Sequence, residues 1–270
     1  MRVGMMNDPR LPIDEEVAFA AEHGFDFLDL TLEPPRATNE AARSPRVQAA
    51  VLKSGLGVVG HTAYYLPIES AYTRLRTAAL QQVAEDLRVL ADLGATKVTL
   101  HFLFSGPERI LPRDYRLDCW RAALDYLSPI ALERGLFLML ENTESNPERI
   151  DLLDRLFQDY PHLRFHLDVG HANLGYASGQ LDALLSSFHA RLTHVHLSDN
   201  VGGDKDLHLP LYCGSIDWKE VAAKLWKYGY DDTVTLEIFS RRREYLLLSK
   251  TIWEQLWHSL RDPHENNPSA

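Results

Sequence analysis

The chain has 270 residues, 45% of them hydrophobic and 24% charged, with a formal net charge of −10. That is material for one large domain or two small ones with an ample core. The acidic balance excludes a general nucleic-acid coat, which needs clustered Lys and Arg, but it leaves room for a local basic patch and for bound cations. No run of eighteen apolar residues is present, so no membrane span is expected. The N-terminal "MRVGMMNDPR" lacks the apolar stretch of an export signal. The two cysteines, Cys119 and Cys213, form no disulfide framework, so a reducing, cytoplasmic location is expected.

Short β-rich apolar runs alternate with longer stretches of helical period. In order they are "RVGMM" from Arg2, "FDFLDL" from Phe25, "LGVVGHT" from Leu56 and "KVTLHF" from Lys97. Then come "LFLMLEN" from Leu136, "LRFHLDV" from Leu163, "LTHVHLS" from Leu192 and "TVTLEIF" from Thr233. The intervening segments, such as "RLRTAALQQVAEDLRVLADLG" from Arg74, carry apolar residues at helical spacing. Gly24, Gly55, Gly94, Gly135 and Gly229 stand where such helices would end. Eight βα units predict a single α/β domain over residues 1–260, a (β/α)8 TIM barrel. A doubly wound open sheet would carry a glycine-rich phosphate loop after its first strand, and "GMMNDPR" is not one. Residues 261–270, "RDPHENNPSA", read as a disordered tail.

In such a barrel the active face lies at the C-terminal strand ends. The third run closes on His61, the fourth on His101 and the fifth on Glu141. The sixth closes on Asp168 with His171 just beyond, the seventh on His196 and the eighth on Glu237. The loop "DNVGGDKDLHLPLYCGSIDW" adds Asp206 and His208. Taken singly, each has a bland reading: a satisfied strand-end His, half a salt bridge, or, for Asp168, a helix cap. Their common location favours a divalent metal site, with one to three ions of Zn, Mn, Co or Mg. A cation would also relieve the repulsion among converging carboxylates. His166 and His194 point inward at deeper positions and suit a core or ligand-supporting role. His23, His162, His189 and His258 suit the surface.

The segments "LENT", "LDVGH", "HVHLSDN" and "DLHLPLYCGSIDW" resemble the xylose isomerase-like TIM barrels, which include sugar isomerases, ketose 3-epimerases and endonuclease IV. The resemblance runs from Met1 to about His258 and implies metal dependence. In the epimerase branch it implies one divalent ion on Glu141, Asp168, His196 and Glu237, the two glutamates also serving as acid and base. In the endonuclease IV branch it implies three zinc ions on His61, His101, Glu141, Asp168, His171, His196, Asp206, His208 and Glu237. Tyr64 falls where that enzyme has a tyrosine that meets DNA. The chain departs from the family at "LPLYCGS", where Leu211 and Tyr212 replace a Gly-x-Gly run and Cys213 replaces a small residue.

The leading expectation is a metal-dependent sugar isomerase or epimerase acting through an enediolate, with Glu141 removing a proton and Glu237 returning one. One alternative is a trinuclear-zinc phosphodiesterase of the apurinic/apyrimidinic endonuclease type; another is a non-catalytic metal- or ligand-binding barrel. Tyr64, Phe104 and Arg241 are the expected substrate contacts, the last in "RRR". Basic loops that could meet a phosphate backbone lie at Arg36, at Arg241–Arg243 and in "ERILPRDYR", Glu108–Arg116. The expected partners are a small sugar and, on base rates, a second subunit. The charge disfavours nucleic acid.

Overall fold

The structure is a computed structural model that describes residues 1–104, 110–143, 147–175 and 180–261. In chain order the first half runs β1 (Arg2–Met6), α1 (Ile13–Glu22), β2 (Phe27–Thr31), α2 (Asn39–Ala42), α3 (Pro45–Ser54), β3 (Gly57–His61), α4 (Thr73–Asp92), β4 (Lys97–His101) and α5 (Arg113–Glu133). The second half runs β5 (Phe137–Glu141), α6 (Pro147–Asp159), β6 (Arg164–Asp168), α7 (Val169–Ala172), α8 (Gln180–Phe188), β7 (Leu192–Leu197), α9 (Trp218–Lys227), β8 (Thr233–Leu236) and α10 (Glu244–Arg261). The eight strands are parallel and in sequence order, and β8 pairs back with β1 to close the barrel. The expected (β/α)8 fold is the fold found.

Each predicted run corresponds to one strand: β1 matches "RVGMM" residue for residue, β2 runs one residue past "FDFLDL" to Thr31, and the other six are trimmed at one or both ends. "FDFLDL" begins at Phe25, yet β2 begins at Phe27, because Asp26 turns the chain and accepts from the backbone N–H of Val3 at 2.7 Å. The helices end where glycine permits it. Gly55 caps α3 at φ 71°, a left-handed turn that a Cβ would oppose, and the other four predicted glycines also have positive φ. The expected boundary at residue 260 falls inside the last turn of α10; Arg261 is helical and pairs with Asp231 at 2.6 Å. The rest of the predicted tail, and Glu108 and Arg109 of the predicted basic loop, lie outside the described residues.

Strand alternation sorts the side chains into two layers. Outward residues such as Leu28, Leu100, Leu140 and Val195 are buried against the helices, together with Trp120, Trp218 and Trp253. Inward, Phe27, Val59 and Met139 form a small separate apolar cluster. A side chain at Gly4 would run into the Phe27 ring, so glycine makes room for that plug. Other inward positions are polar and fully buried: Asp29, Thr99, His166, His194 and Thr235. A register shift between Phe165 and His166 sets His166 opposite His194 across the β6–β7 pair.

Cys119 is buried and Cys213 exposed, and neither forms a disulfide. Among the described residues no helix is long and apolar enough to cross a membrane.

Candidate metal centre

His61, His101, Glu141 and Asp168 are the last residues of β3, β4, β5 and β6, His196 lies one residue before the end of β7, and Glu237 follows β8. All share the inward phase of their strands, so barrel closure brings them together. Glu141 lies at the centre of the set. Its Oε2 is 3.4 Å from His61 Nε2, 3.5 Å from His101 Nε2 and 3.4 Å from His166 Nδ1, and its Oε1 is 3.2 Å from His171 Nδ1. None of these approaches has hydrogen-bond geometry, and both carboxylate oxygens are buried without a partner.

Asp168 has two uses. Its Oδ1 caps α7 by accepting from the His171 backbone N–H at 2.6 Å, so the bland reading of this residue holds as far as that oxygen goes. Its Oδ2 has no hydrogen-bond partner and faces His196 Nδ1 at 3.7 Å and His171 Nδ1 at 3.8 Å. His196 Nδ1 also lies 3.1 Å from Glu237 Oε2.

A third group joins α7 to a loop. Asp206 Oδ2 meets His171 Nε2 at 3.0 Å and His208 Nε2 at 2.8 Å. The "DN" of "HVHLSDN" organises this loop. Buried Asp199 accepts from Asn200 N, Ile216 N and Trp218 Nε1 at 2.9, 3.2 and 3.0 Å. Asn200 donates to the Gly170 carbonyl at 2.8 Å, tying the loop to the turn that carries His171.

Crowded charge governs the electrostatics. Burial pushes the Glu141 carboxyl up, but His101, His166, His171 and His61 outweigh it and hold it well below the carboxylate range. Glu237 behaves alike, with His208 and His196 winning over burial. Asp168 is pushed up to about 7 by burial, with Glu237 and Glu141 adding to it. Burial takes His101 down to about 4 despite Glu141. His208 rises to about 10, because Glu237 and Asp206 overcome its burial.

These residues fit divalent cations. Each buried N or O atom without a partner costs about 1–3 kcal/mol, yet Glu141, His61, Asp168, His101, Asp206 and His208 all carry such atoms here. The open atoms are carboxylate oxygens and imidazole nitrogens, the donors that Zn²⁺, Mn²⁺ or Co²⁺ take. They fall into neighbouring groups whose ligand atoms lie within 4.8 Å: His61–His101–Glu141, Glu141–Asp168–His171 and Asp168–His196–Glu237. Glu141 and Asp168 each belong to two of them.

A cavity of about 720 Å³ opens on the centre. Its lining includes His61, His101, His171, Asp206, His208 and Glu237, with Tyr64, Glu33, Asp8, Arg10 and Arg243. Of the predicted substrate contacts, then, Tyr64 lines the cavity, while Phe104 and Arg241 are not among the described lining residues. Phe104 packs beneath the Arg116 guanidinium, 4.9 Å from its ring centroid. Arg243, two residues on, lines the cavity; it pairs with buried Glu16 and stacks over Phe19. The sequence reading missed Asp29. Its Oδ2 accepts from both His194 and His196, at 2.9 and 2.8 Å. The signal available was a lone carboxylate at an inward position of an apolar strand.

A closed parallel barrel with a histidine- and carboxylate-rich cluster at its strand ends places the chain in the class of (β/α)8 barrels. Within it, the chain belongs to the xylose isomerase-like TIM barrel family, whose model matches residues 17–262. It is 29% identical over 220 residues to a probable endonuclease 4 of Mycobacterium tuberculosis, covering 76% of this chain and 82% of that one. Among solved structures it is similar to a D-tagatose 3-epimerase-like protein, with TM-score 0.81, 23% identity and coverage of 97% and 99%. Endonuclease IV from Thermus thermophilus aligns with TM-score 0.70 and 26% identity, over 96% of this chain and all (100%) of that one.

Proposed function

We propose that this protein is a multinuclear divalent-metal hydrolase of phosphoesters. The observation that carries this reading is the setting of Glu141: one buried carboxylate, both oxygens unpartnered, within 3.2–3.5 Å of four imidazole nitrogens. A single-ion isomerase needs only four donors, two of them glutamates that also move the proton. A carboxylate shared between two donor groups suits neighbouring ions instead. His61 and His101 would hold one ion with Glu141. Glu141, Asp168, His196 and Glu237 would hold a second, and His171, Asp206 and His208 a third. Bound there, divalent cations supply charge stabilisation at a phosphoryl group and lower the pKa of water.

The chain's own residues orient these donors and shape the substrate space. His171 Nδ1 lies 2.9 Å from the Asn142 carbonyl, which leaves Nε2 for the Asp206 side. Mycobacterial relatives aligned over 76% of this chain are named probable endonuclease 4, which supports phosphodiester chemistry. The net charge of −10 and a cavity of small-molecule size favour a small phosphodiester over a long duplex.

The sugar isomerase expected from the sequence is the second reading, and the cavity favours it too. Glu237, one of the glutamates expected to move the proton, lines that cavity. One experiment separates the two. Metal content is measured by elemental analysis, followed by assays on bis(p-nitrophenyl) phosphate, an abasic-site duplex and a ketose panel in deuterated water. More than one ion per chain with phosphodiester cleavage is the expected result. One ion with solvent exchange at a ketose carbon and no cleavage would establish the isomerase. Metal without turnover would leave the binding barrel.

A further inference from the structure

A chain of hydrogen bonds runs along the barrel interior beneath the metal centre. It starts at Lys97, the first residue of β4. Lys97 Nζ contacts the Thr193 carbonyl at 2.5 Å, Asp232 Oδ2 at 2.9 Å and Thr233 Oγ1 at 2.7 Å. Thr233 Oγ1 lies 2.7 Å from His194 Nδ1. His194 Nε2 lies 2.9 Å from Asp29 Oδ2, and His196 Nε2 reaches the same oxygen at 2.8 Å. Thr235 donates to it as well, at 2.8 Å. The other nitrogen of His196, Nδ1, faces Glu237 and Asp168.

The direction of each bond follows from what each group can do. An ammonium only donates, so the Thr233 hydroxyl accepts from Lys97. Its own hydrogen has two acceptors in reach: His194 Nδ1 at 2.7 Å, and the Thr193 carbonyl at 3.3 Å, which Lys97 already occupies. The shorter bond places the hydrogen on the His194 side, so Nδ1 of His194 accepts and Nε2 carries the proton. The opposite tautomer would aim a nitrogen lone pair at an acceptor-only carboxylate 2.9 Å away. Asp29 then receives N–H from both imidazoles, and Nδ1 is the His196 nitrogen that faces the carboxylates above, where a cation between them would take its lone pair.

We propose that Asp29 is a positioning residue for the metal centre: its Oδ2 accepts from Nε2 of His196 and so leaves Nδ1 as the cation-facing nitrogen, while Lys97 and Thr233 form a relay that sets the tautomer in which His194 donates to the same oxygen. A carboxylate beneath the centre thus sets which nitrogen of a ligand faces the cation, and the chain from Lys97 holds its neighbour His194 in the donating form. Carboxylates behind metal-bound histidines commonly act in this way, and losing one typically costs 10–100-fold in metal affinity. The proposal rests on the metal reading of His196 but not on any reaction.

The test has two parts. Nitrogen-15 histidine NMR of the wild-type chain, metal-free and zinc-loaded, reads the tautomers directly. His194 is expected with its proton on Nε2 in both states; a proton on Nδ1 overturns the relay. Zinc affinity is then measured by chelator competition for Asp29→Asn, Thr233→Val and Thr233→Ser. Asp29→Asn and Thr233→Val are expected to weaken zinc binding about 10–100-fold, with Thr233→Ser restoring it. Folded Asp29→Asn and Thr233→Val variants with wild-type affinity would refute the positioning role. If either variant fails to fold, the wild-type spectrum still decides the relay. A wild-type chain that takes up no zinc would instead refute the metal reading, a separate failure.

Discussion

Nε2 of His208 lies 2.8 Å from Oδ2 of Asp206, and His208 holds it there with a left-handed backbone at φ 45°. A side chain with a Cβ in that region costs about 1–2 kcal/mol, and such strain persists where the surroundings impose it. His208→Gly should therefore remove one ion per chain while leaving metal-free melting within a few degrees of wild type. His208→Ala loses the same ion but keeps the strain, and should be less stable than the glycine variant by about 1 kcal/mol and melt correspondingly lower. Elemental analysis and thermal melts of the two variants check this; equal melting would remove the strain argument.

Glu141 belongs to two donor groups, so its loss should cost more than one ion. Glu141→Gln is expected to lower metal affinity on the order of 100-fold or more, and to abolish turnover without unfolding the chain. Chelator competition reads the first effect and circular dichroism the last. A variant that keeps the wild-type number of ions at wild-type affinity would show that Glu141 is not shared.

Asp199 anchors the loop that carries Asp206 and His208. Asp199→Asn turns the oxygen facing Trp218 Nε1 into a second donor. The expected cost is about 1–3 kcal/mol in urea unfolding, the usual loss for a buried polar group left unpaired. The variant should also shed the ion of the His171–Asp206–His208 group before the others. Metal titration, with Trp218 fluorescence as a local probe, distinguishes this from a general loss of fold.

Asp86 provides a pH dependence away from the metal centre. Its Oδ1 accepts from Asn39 and Gln82 at 2.7 and 2.8 Å, and its Oδ2 has no partner. Burial, with Glu85 adding to it, raises its pKa from 3.8 to about 6 against those hydrogen bonds. Between these values the folded chain holds a proton that the unfolded chain has lost. This group therefore lowers stability as pH rises from about 4 to about 6, by about 3 kcal/mol, and the loss persists above that. Asp86→Asn should remove the fall. Urea midpoints of the two proteins should diverge from pH 4 to pH 7 in favour of the variant; parallel curves would contradict it.

Most of the candidate centre was legible because its donors close apolar runs. Strand alternation then sends His61, His101, Glu141, Asp168 and His196 to one face. Asp29 obeys the same alternation but lies in mid-strand, and nothing near it in sequence announces His194 and His196 as its partners. The choice between Arg241 and Arg243 was equally hidden. Both follow β8 in irregular chain before α10, where no period sets the phase of a side chain.

The sequence by itself determined the alternation of strand and helix, the glycine stops and the ring of donors at the strand ends. Hydrophobic period and turn chemistry are local, written within ten residues or so. Only the tertiary structure decided that Glu141 lies among four imidazoles, that one oxygen of Asp29 joins two histidines, and that Lys97 lies at the far end of their chain. Those contacts cross the barrel between strands distant in sequence, and their distances depend on closure and register rather than on any local pattern.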